Sequence, residues 1–307
     1  MNETMDKPGP SAPPRCPSGD AQARREHITK GEGPARRLFG GCTSPGQFLP
    51  NVHASPKADL VDVLLTIPVY NEAERIKRTV VEIECLVHKL ANRFQVTLAI
   101  AEDGSNDGTK ELLQQLRTEG HIFLLSTKPE KMGRGWALRT LWQSCSHDIY
   151  AFCDADLSSD LTAIIKLLES IQGGYDVAIA SRYVKGAYVN RPVGRRFVSL
   201  MYNSLIRAIF KTGIADHQCG LKAFSRTALV QLLPLSKENS WFWDTEMIVL
   251  SQRLGLSIVE LPISWIERKT RRTEIRRLIS DVYLHGSGII RLKGNSQDIT
   301  HDRTQGQ

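Results

Sequence analysis

Apolar residues in this chain come in short bursts divided by amphipathic stretches. Residues 60–70, LVDVLLTIPVY, form a brief apolar run that stops at a turn signal, which predicts a buried strand. Residues 72–90 place Ile76, Val80, Ile83 and Val87 on one helical face, which predicts an amphipathic helix. The alternation then repeats. Strands are predicted over 94–105, 122–126, 148–156 and 176–181. Helices are predicted over 106–117, capped at Asn106 or Asp107, and over 135–145 and 161–171. Strands alternating with helices imply an α/β fold, a mostly parallel sheet covered on both faces.

Residues 1–57 lack any such period. They hold nine of the fourteen prolines, and they are expected to be a disordered extension. The remaining chain divides into a folded domain over 58–267, a basic amphipathic segment over 268–294 and a polar tail over 295–307. No stretch approaches the ~18 consecutive apolar residues of a membrane span, and the N-terminus lacks a secretory pattern. An intracellular protein is expected. The six cysteines show no CxxC spacing, so reduced thiols are expected rather than a zinc site or disulfide framework. The net charge of +7 is uneven: residues 268–293 hold eight Lys or Arg against two acids, and residues 191–211 hold five against none. Such a surface suits an anionic partner. Nucleic acid is disfavoured as that partner, because the carboxylates at the strand ends would repel its phosphates.

Ligands of open α/β sheets bind at the C-terminal ends of the strands. Polar clusters fall there: Tyr70-Asn71-Glu72, Glu102-Asp103, Asp154-Ala155-Asp156 and Ser181-Arg182. In an extended segment Asp154 and Asp156 point to one side, and two carboxylates so placed call for a cation. Mg2+ or Mn2+ takes oxygen ligands and keeps phosphate or water. The alternative is a helix cap by Asp156 or Ser158. No G-x-G-x-x-G follows the first strand and no P-loop occurs, which argues against dinucleotide oxidoreductases and P-loop NTPases. The basic glycine loop KMGRGWA, 131–137, is a weak phosphate-facing signal by itself.

The ordered set TIPVYNEAE (66–74), AEDGSNDGT (101–109), GRGWAL (133–138), DADLSSD (154–160) and ASRYVKG (180–186) resembles family 2 glycosyltransferases, and among them dolichyl-phosphate mannose synthases and related polyprenyl-phosphate glycosyltransferases. The likeness covers about residues 61–292. It implies a GT-A fold, a nucleotide-sugar donor such as GDP-mannose or a UDP-hexose, and a divalent metal. It implies that Pro68, Tyr70 and Glu72 line the nucleobase pocket and that Asp103 binds the nucleoside. Asp154 and Asp156 would hold metal and donor diphosphate, and Arg182 would face phosphate. Two departures stand out: Glu102 replaces the usual first Asp of Asp-Asp-Gly-Ser, and Ser158 stands where many relatives have Gln. Ser158 can still ligate through its hydroxyl.

In the second half, Asp216 matches the family's segment beside the donor sugar, and Lys222 reads as a strand-edge charge. Asp244 and Glu246 precede a helix with Met247, Leu250 and Leu254 inward. Asp244 is either an N-cap or catalytic: Asp244 or Glu246 would position sugar hydroxyls, and Asp244 is the candidate base. An alcohol acceptor needs such a base; a lipid phosphate needs cations instead. Arg191, Arg195, Arg196 and, above all, Arg268 are the candidates for acceptor phosphate. Residues 195–211 carry a stripe of Phe197, Met201, Leu205 and Ile209, and 271–284 a stripe of Ile275, Leu278, Ile279 and Val282, both among basic residues. Helices of this kind lie in an anionic membrane interface or face a core. The expected activity is inverting, metal-dependent hexosyl transfer to a polyprenyl phosphate by a protein peripheral to the cytoplasmic face of the membrane. The alternative is transfer to a sugar or protein hydroxyl.

Overall fold

A computed structural model describes residues 60–267 and 286–293. Strands β1 (Val61–Val69), β2 (Phe94–Glu102), β3 (Leu124–Ser126) and β4 (Ile149–Cys153) are mutually parallel. They alternate with helices α1 (Ile76–Leu90), α2 (Thr109–Thr118) and α3 (Arg134–Gln143). After α4 (Thr162–Gln172) come β5 (Val177–Ser181), the short β6 (Tyr188–Asn190) and the long helix α5 (Val193–Phe210). Then follow β7 (Leu221–Ser225), α6 (Arg226–Leu232), α7 (Trp243–Arg253), β8 (Ile258–Pro262) and β9 (Ser264–Ile266). A last helix, α8, covers 286–293.

The sheet order is β3-β2-β1-β4-β7-β5-β8, with β7 antiparallel to both neighbours. β6 and β9 make a separate parallel pair. This is the mostly parallel, doubly covered sheet that the alternation predicts. Side chains alternate across it into two cores. Val63, Leu65 and Ile67 of β1 pack under α1, α2 and α4. Leu64, with Tyr150, Phe152 and Phe224, packs under α3, α6 and α7 around Trp142 and Trp243. The Trp142 indole donates to the Thr66 hydroxyl at 3.0 Å, which satisfies its one polar atom in that core.

Several predicted boundaries move for local reasons. Helix α1 starts at Ile76, because Asn71 sits at φ +55° and residues 72–75 form a turn onto the Glu72 carbonyl. The cap of α2 is neither Asn106 nor Asp107 but Gly108, at φ +91°. Asp107 instead accepts from the Thr109 amide and hydroxyl and the Ala73 amide. Strand β4 stops at Cys153, so Asp154 and Asp156 lie on a turn rather than on alternate strand positions.

Helix α5 is turned against the usual rule. Ser199, Asn203 and Ile206 face inward, while Phe197, Met201 and Leu205 are 62%, 58% and 49% exposed. Asn203 goes inward because its side-chain oxygen takes the His217 amide and ring nitrogen. Among the described residues no helix is long and apolar enough to cross a membrane. Cys145, Cys153 and Cys219 are buried thiols; Cys85 is disulfide-bonded, against the expectation of reduced cysteines. The extension, the predicted helix over 271–284 and Arg268 lie outside the described residues.

Candidate active site

The parallel strands deliver their C-terminal ends to one edge, and the expected nucleoside residues meet there. Pro68 and Asp103 lie at the adjoining ends of β1 and β2, where the Asp103 amide donates to the Val69 carbonyl. The Asp103 carboxylate accepts the Met132 and Gly133 amides at 2.8 and 2.9 Å, which ties the glycine loop to β2. Burial raises its pKa, and those two amides work against the rise. Gly133 sits at φ +109°, and a Cβ there would stand 2.2 Å from the Asn239 carbonyl oxygen, so only glycine fits. Tyr70 lies beneath Lys131, whose ammonium is 4.1 Å from the ring centroid. Glu72 pairs with Arg75 at 2.7 Å; burial raises its pKa despite that cation. Glu102 has a different task. Fully buried, it accepts the Ser105 and Lys128 amides and closes its own turn. The extra methylene that distinguishes it from Asp reaches inward.

Asp154 and Asp156 stand on the turn after β4. The Thr79 hydroxyl of α1 fixes that turn through the Ala155 carbonyl at 2.6 Å. Leu157 takes φ +47°, a left-handed backbone uncommon for a branched residue, and so reverses the chain between the carboxylates and Ser158. Asp156 accepts the Ser158 amide at 3.0 Å. The Ser158 side-chain oxygen is buried with no hydrogen-bond partner. On the other side Gly220 lies against Asp154: a Cβ there would come within 1.7 Å of a carboxylate oxygen. Among the described residues no group of three or more acidic, His or Cys side chains forms a closed metal cage. Two carboxylates and an unpartnered hydroxyl make a partial, all-oxygen donor set. Such a set fits Mg2+ or Mn2+, which complete their shell with phosphate oxygens and water.

Behind this turn lies a charge network that the sequence did not disclose. Arg134 of α3 is buried, with Asp154 at 2.8 Å and Asp244 at 3.0 Å. Its guanidinium lies between the Phe152 and Trp241 rings, 4.9 and 4.7 Å from their centroids. Asp154 is pushed up to about 6, first by burial and then by Asp156, with Arg134 pulling it down. Lys222 is not at a strand edge. β7 is an inner strand, so Lys222 is fully buried; it donates to the Asp244 carboxylate at 3.0 Å and to the Cys219 carbonyl at 2.5 Å. Asp244 is likewise not an N-cap: Phe242 occupies that place, and Asp244, in the first turn of α7, is held between two cations. Glu246 accepts the Ser236 hydroxyl and the Lys237 and Glu238 amides, so it braces the loop before α7.

Arg182, expected to face phosphate, is paired to a carboxylate in this structure. It is buried, and its backbone amide and both arms of its guanidinium fork bond to Asp216 at 2.7–3.0 Å. Burial alone would raise Asp216; the Arg182 pair more than offsets this and holds it low. Arg191 and Arg195 lie together at the start of α5, where both reach the Glu267 carboxylate. Arg196 is exposed one residue further on. The Ile266 amide donates to the Ser158 carbonyl, so Glu267 follows directly on a strand bonded to the Asp156–Ser158 turn.

Comparison with known proteins accords with this geometry. The profile of "Glycosyl transferase family 2" matches residues 65–233. "Glycosyltransferase AglD" of Haloferax volcanii is 36% identical over 241 residues, which span 78% of this chain but 38% of that protein. "Dolichyl-phosphate beta-glucosyltransferase" of Saccharomyces cerevisiae is 28% identical over 239 residues, 71% of each chain. A crystal structure of glucosyl-3-phosphoglycerate synthase from Mycobacterium tuberculosis, with Mn2+, UDP and glucosyl-3-phosphoglycerate, superposes with a TM-score of 0.57 at 18% identity, covering 76% of this chain and 80% of that one. The last is a likeness of fold, and the sheet described above is accordingly of GT-A type. With the profile spanning over half the sequence and these motifs in order at the strand ends, the chain belongs to glycosyl transferase family 2.

Proposed function

We propose that the protein transfers a hexosyl group from a nucleotide sugar to a polyprenyl (dolichyl) phosphate, working as a peripheral protein at the cytoplasmic face of a membrane. The observation that carries this reading is the outward apolar face of α5. Phe197, Met201 and Leu205 stay about half exposed and so forgo roughly half of the ~1.5–3 kcal/mol that full burial of each would give. The same helix buries Ser199 and Asn203. Arg195, Arg196, Arg207 and Lys211 border the apolar stripe, as on helices that lie in an anionic interface. The helix begins at the arginines expected to meet the acceptor phosphate, so a lipid held at the interface would present its headgroup to the site. The yeast relative named above is a dolichyl-phosphate glucosyltransferase, which agrees with this acceptor.

The state of Asp244 supports a phosphate acceptor over an alcohol. Arg134 and Lys222 already occupy its two carboxylate oxygens, one each, so neither is left open towards an acceptor hydroxyl. A phosphate oxygen is already an anion and needs no base. It forms the new bond to the anomeric carbon from the side opposite the leaving group. The bond from that carbon to the diphosphate oxygen breaks, and its electron pair departs with the nucleoside diphosphate, so the anomeric configuration inverts. Pro68, Tyr70, Glu72 and Asp103 would hold the nucleoside. Asp154, Asp156 and the Ser158 hydroxyl would hold Mg2+ or Mn2+; when bound, the ion would neutralise charge on the departing diphosphate. Arg134 holds Asp154 in place and, with Lys222, fixes the position of Asp244.

The test is a donor screen. Purified full-length protein, dolichyl phosphate, Mn2+ and a panel including GDP-mannose and UDP-glucose are incubated, and the lipid product is read by mass spectrometry. A dolichyl-phosphate hexose is expected from one donor and is expected to vanish in Asp156→Ala. Transfer to soluble sugars with none to the lipid would overturn the reading. In vesicle flotation, Phe197→Glu with Met201→Glu should release the folded protein from anionic vesicles.

A further inference from the structure

Trp241 is the most exposed tryptophan among the described residues. Trp142 and Trp243 are fully buried and Trp265 nearly so, whereas Trp241, in the loop between α6 and α7, is 52% exposed. The loop beneath it is tightly held. Glu246 of α7 takes the Ser236 hydroxyl and the Lys237 and Glu238 amides. Arg139 of α3 donates to the Ser236 and Glu238 carbonyls at 3.0 and 3.3 Å. The Asn239 carbonyl accepts the Gly135 and Trp136 amides, also of α3, at 2.8 and 3.2 Å. Arg291 of α8 holds the Glu238 carboxylate through two nitrogens at 2.7 and 2.9 Å. Three helices therefore fix the backbone that presents the indole. One face of the ring covers the Arg134 guanidinium, and the ring nitrogen has no hydrogen-bond partner among the described residues.

We propose that Trp241 is the platform on which the hexose of the donor rests. The proposal rests on the nucleotide-sugar donor of the reading above and is independent of the acceptor. The hexose of such a donor is bonded to the diphosphate that the Asp154–Asp156 turn is expected to hold, so the sugar ring lies beside a neighbour of that turn. Trp241 is such a neighbour. A single guanidinium separates its ring from Asp154 and Asp244, which Arg134 reaches at 2.8 and 3.0 Å. A pyranose carries C–H groups on the faces of its ring and hydroxyls around the rim. Those hydrogens are made slightly positive by the oxygens on the same carbons, so they suit the negative face of an aromatic ring. Stacking also takes apolar surface of both partners out of water. The indole N–H is a donor free to bond a rim hydroxyl. A side chain with two torsions, on a loop already fixed, loses little entropy when it is covered. A tryptophan that served only to anchor the protein in a lipid interface would call for no such tie to the carboxylates of the site.

The test uses the full chain with Mn2+ and four probes, UDP, UDP-glucose, GDP and GDP-mannose, their binding read by calorimetry. The quantity compared is the affinity of each nucleotide sugar relative to its bare nucleotide. Trp241→Leu keeps an apolar cover over Arg134 but removes the ring face. It is expected to lower that ratio about 10-fold for the nucleotide sugar that the wild type binds, with the bare nucleotide unchanged. Trp241→Phe keeps a smaller ring and is expected to lower the ratio only about 2-fold. In the transfer assay the KM for the nucleotide sugar should rise in Trp241→Leu and the KM for dolichyl phosphate should not. Equal losses on nucleotide sugar and bare nucleotide would mean that the ring acts only through Arg134 and the carboxylates. An unchanged ratio in both variants, whether or not vesicle flotation weakens, would mean that the ring serves elsewhere. Either result overturns the proposal. A wild type that binds UDP or GDP but neither nucleotide sugar overturns it as well, together with the hexose donor of the reading above. A fall in the ratio without any transfer to dolichyl phosphate upholds the platform and sinks only the acceptor assignment.

Discussion

Acid should act on this fold through His217. The ring is fully buried between Asn203 of α5 and Thr212 of the following loop. Its Nδ1 lies 2.9 Å from the Asn203 side-chain oxygen and its Nε2 2.8 Å from the Thr212 hydroxyl. The amide oxygen can only accept, which assigns the proton to Nδ1 and leaves Nε2 to accept from Thr212. Both nitrogens are then satisfied in the neutral ring. Burial pushes the pKa down to about 4; Asp216 opposes this, and Lys222 and Arg207 add to it. The unfolded value is near 6.5. The difference of about 2.5 pH units, at 1.36 kcal/mol each, amounts to about 3 kcal/mol. The sign follows from proton counting. Between those two values the unfolded chain binds a proton that the folded chain refuses. The neutral ring therefore costs nothing above pH ~6.5, and stability falls as the pH drops from there towards ~4. Urea unfolding followed by fluorescence, on wild type and His217→Gln across this range, measures the effect. The variant starts lower, by about 1 kcal/mol for each hydrogen bond it weakens, but lacks the titration. Carboxylates elsewhere titrate in both proteins and cancel in the comparison. Wild type should lose about 3 kcal/mol more than the variant over the window. Parallel curves would refute the assignment of a neutral, doubly satisfied imidazole.

Three further substitutions probe the network. Gly220→Ala puts a Cβ 1.7 Å from an Asp154 oxygen, so Mn2+-dependent nucleotide binding should fall by at least about 100-fold in calorimetry while circular dichroism stays native. Lys222→Met keeps the volume but leaves Asp244 with Arg134 alone; chemical denaturation should show a loss of about 3 kcal/mol. Arg182→Lys keeps the charge but cannot fork onto both Asp216 oxygens, and thermal melting should show a loss of about 2 kcal/mol, although the residue does not face solvent.

The sequence disclosed what is local. Each strand–helix alternation up to β5 was legible, because a buried parallel strand reads as an apolar run that ends in a turn. So was the carboxylate edge, since the ends of such strands converge. What stayed hidden is set by pairing at a distance. LKAFS gave no sign that β7 would slip between β4 and β5, and without that placement Lys222 looked like an edge charge. Arg182 carries the same charge whether it meets a substrate phosphate or Asp216; only the fold brings Asp216 to it from 34 residues away. Arg134 lay within a weak glycine motif, and the glycines on each side were the available hint, since they let the backbone approach closely enough to bury it. The stripe on α5 read as core or interface alike, and nothing in it announced that Asn203, bonded to His217, would turn it outward.

The reversed strand β7 also has a bearing on synthesis. Its residues pair with β4, register Phe152 against Lys222, across about 70 residues of chain. A nascent chain that has emerged only as far as α5 carries Asp154 and Asp156 but neither the Gly220 surface nor the Lys222 ammonium. The contact is non-local, so its closure comes late and slowly. A product truncated before residue 220 would therefore keep its motif and be inert, and the ribosome would release a competent site only once both halves of the sheet had been made.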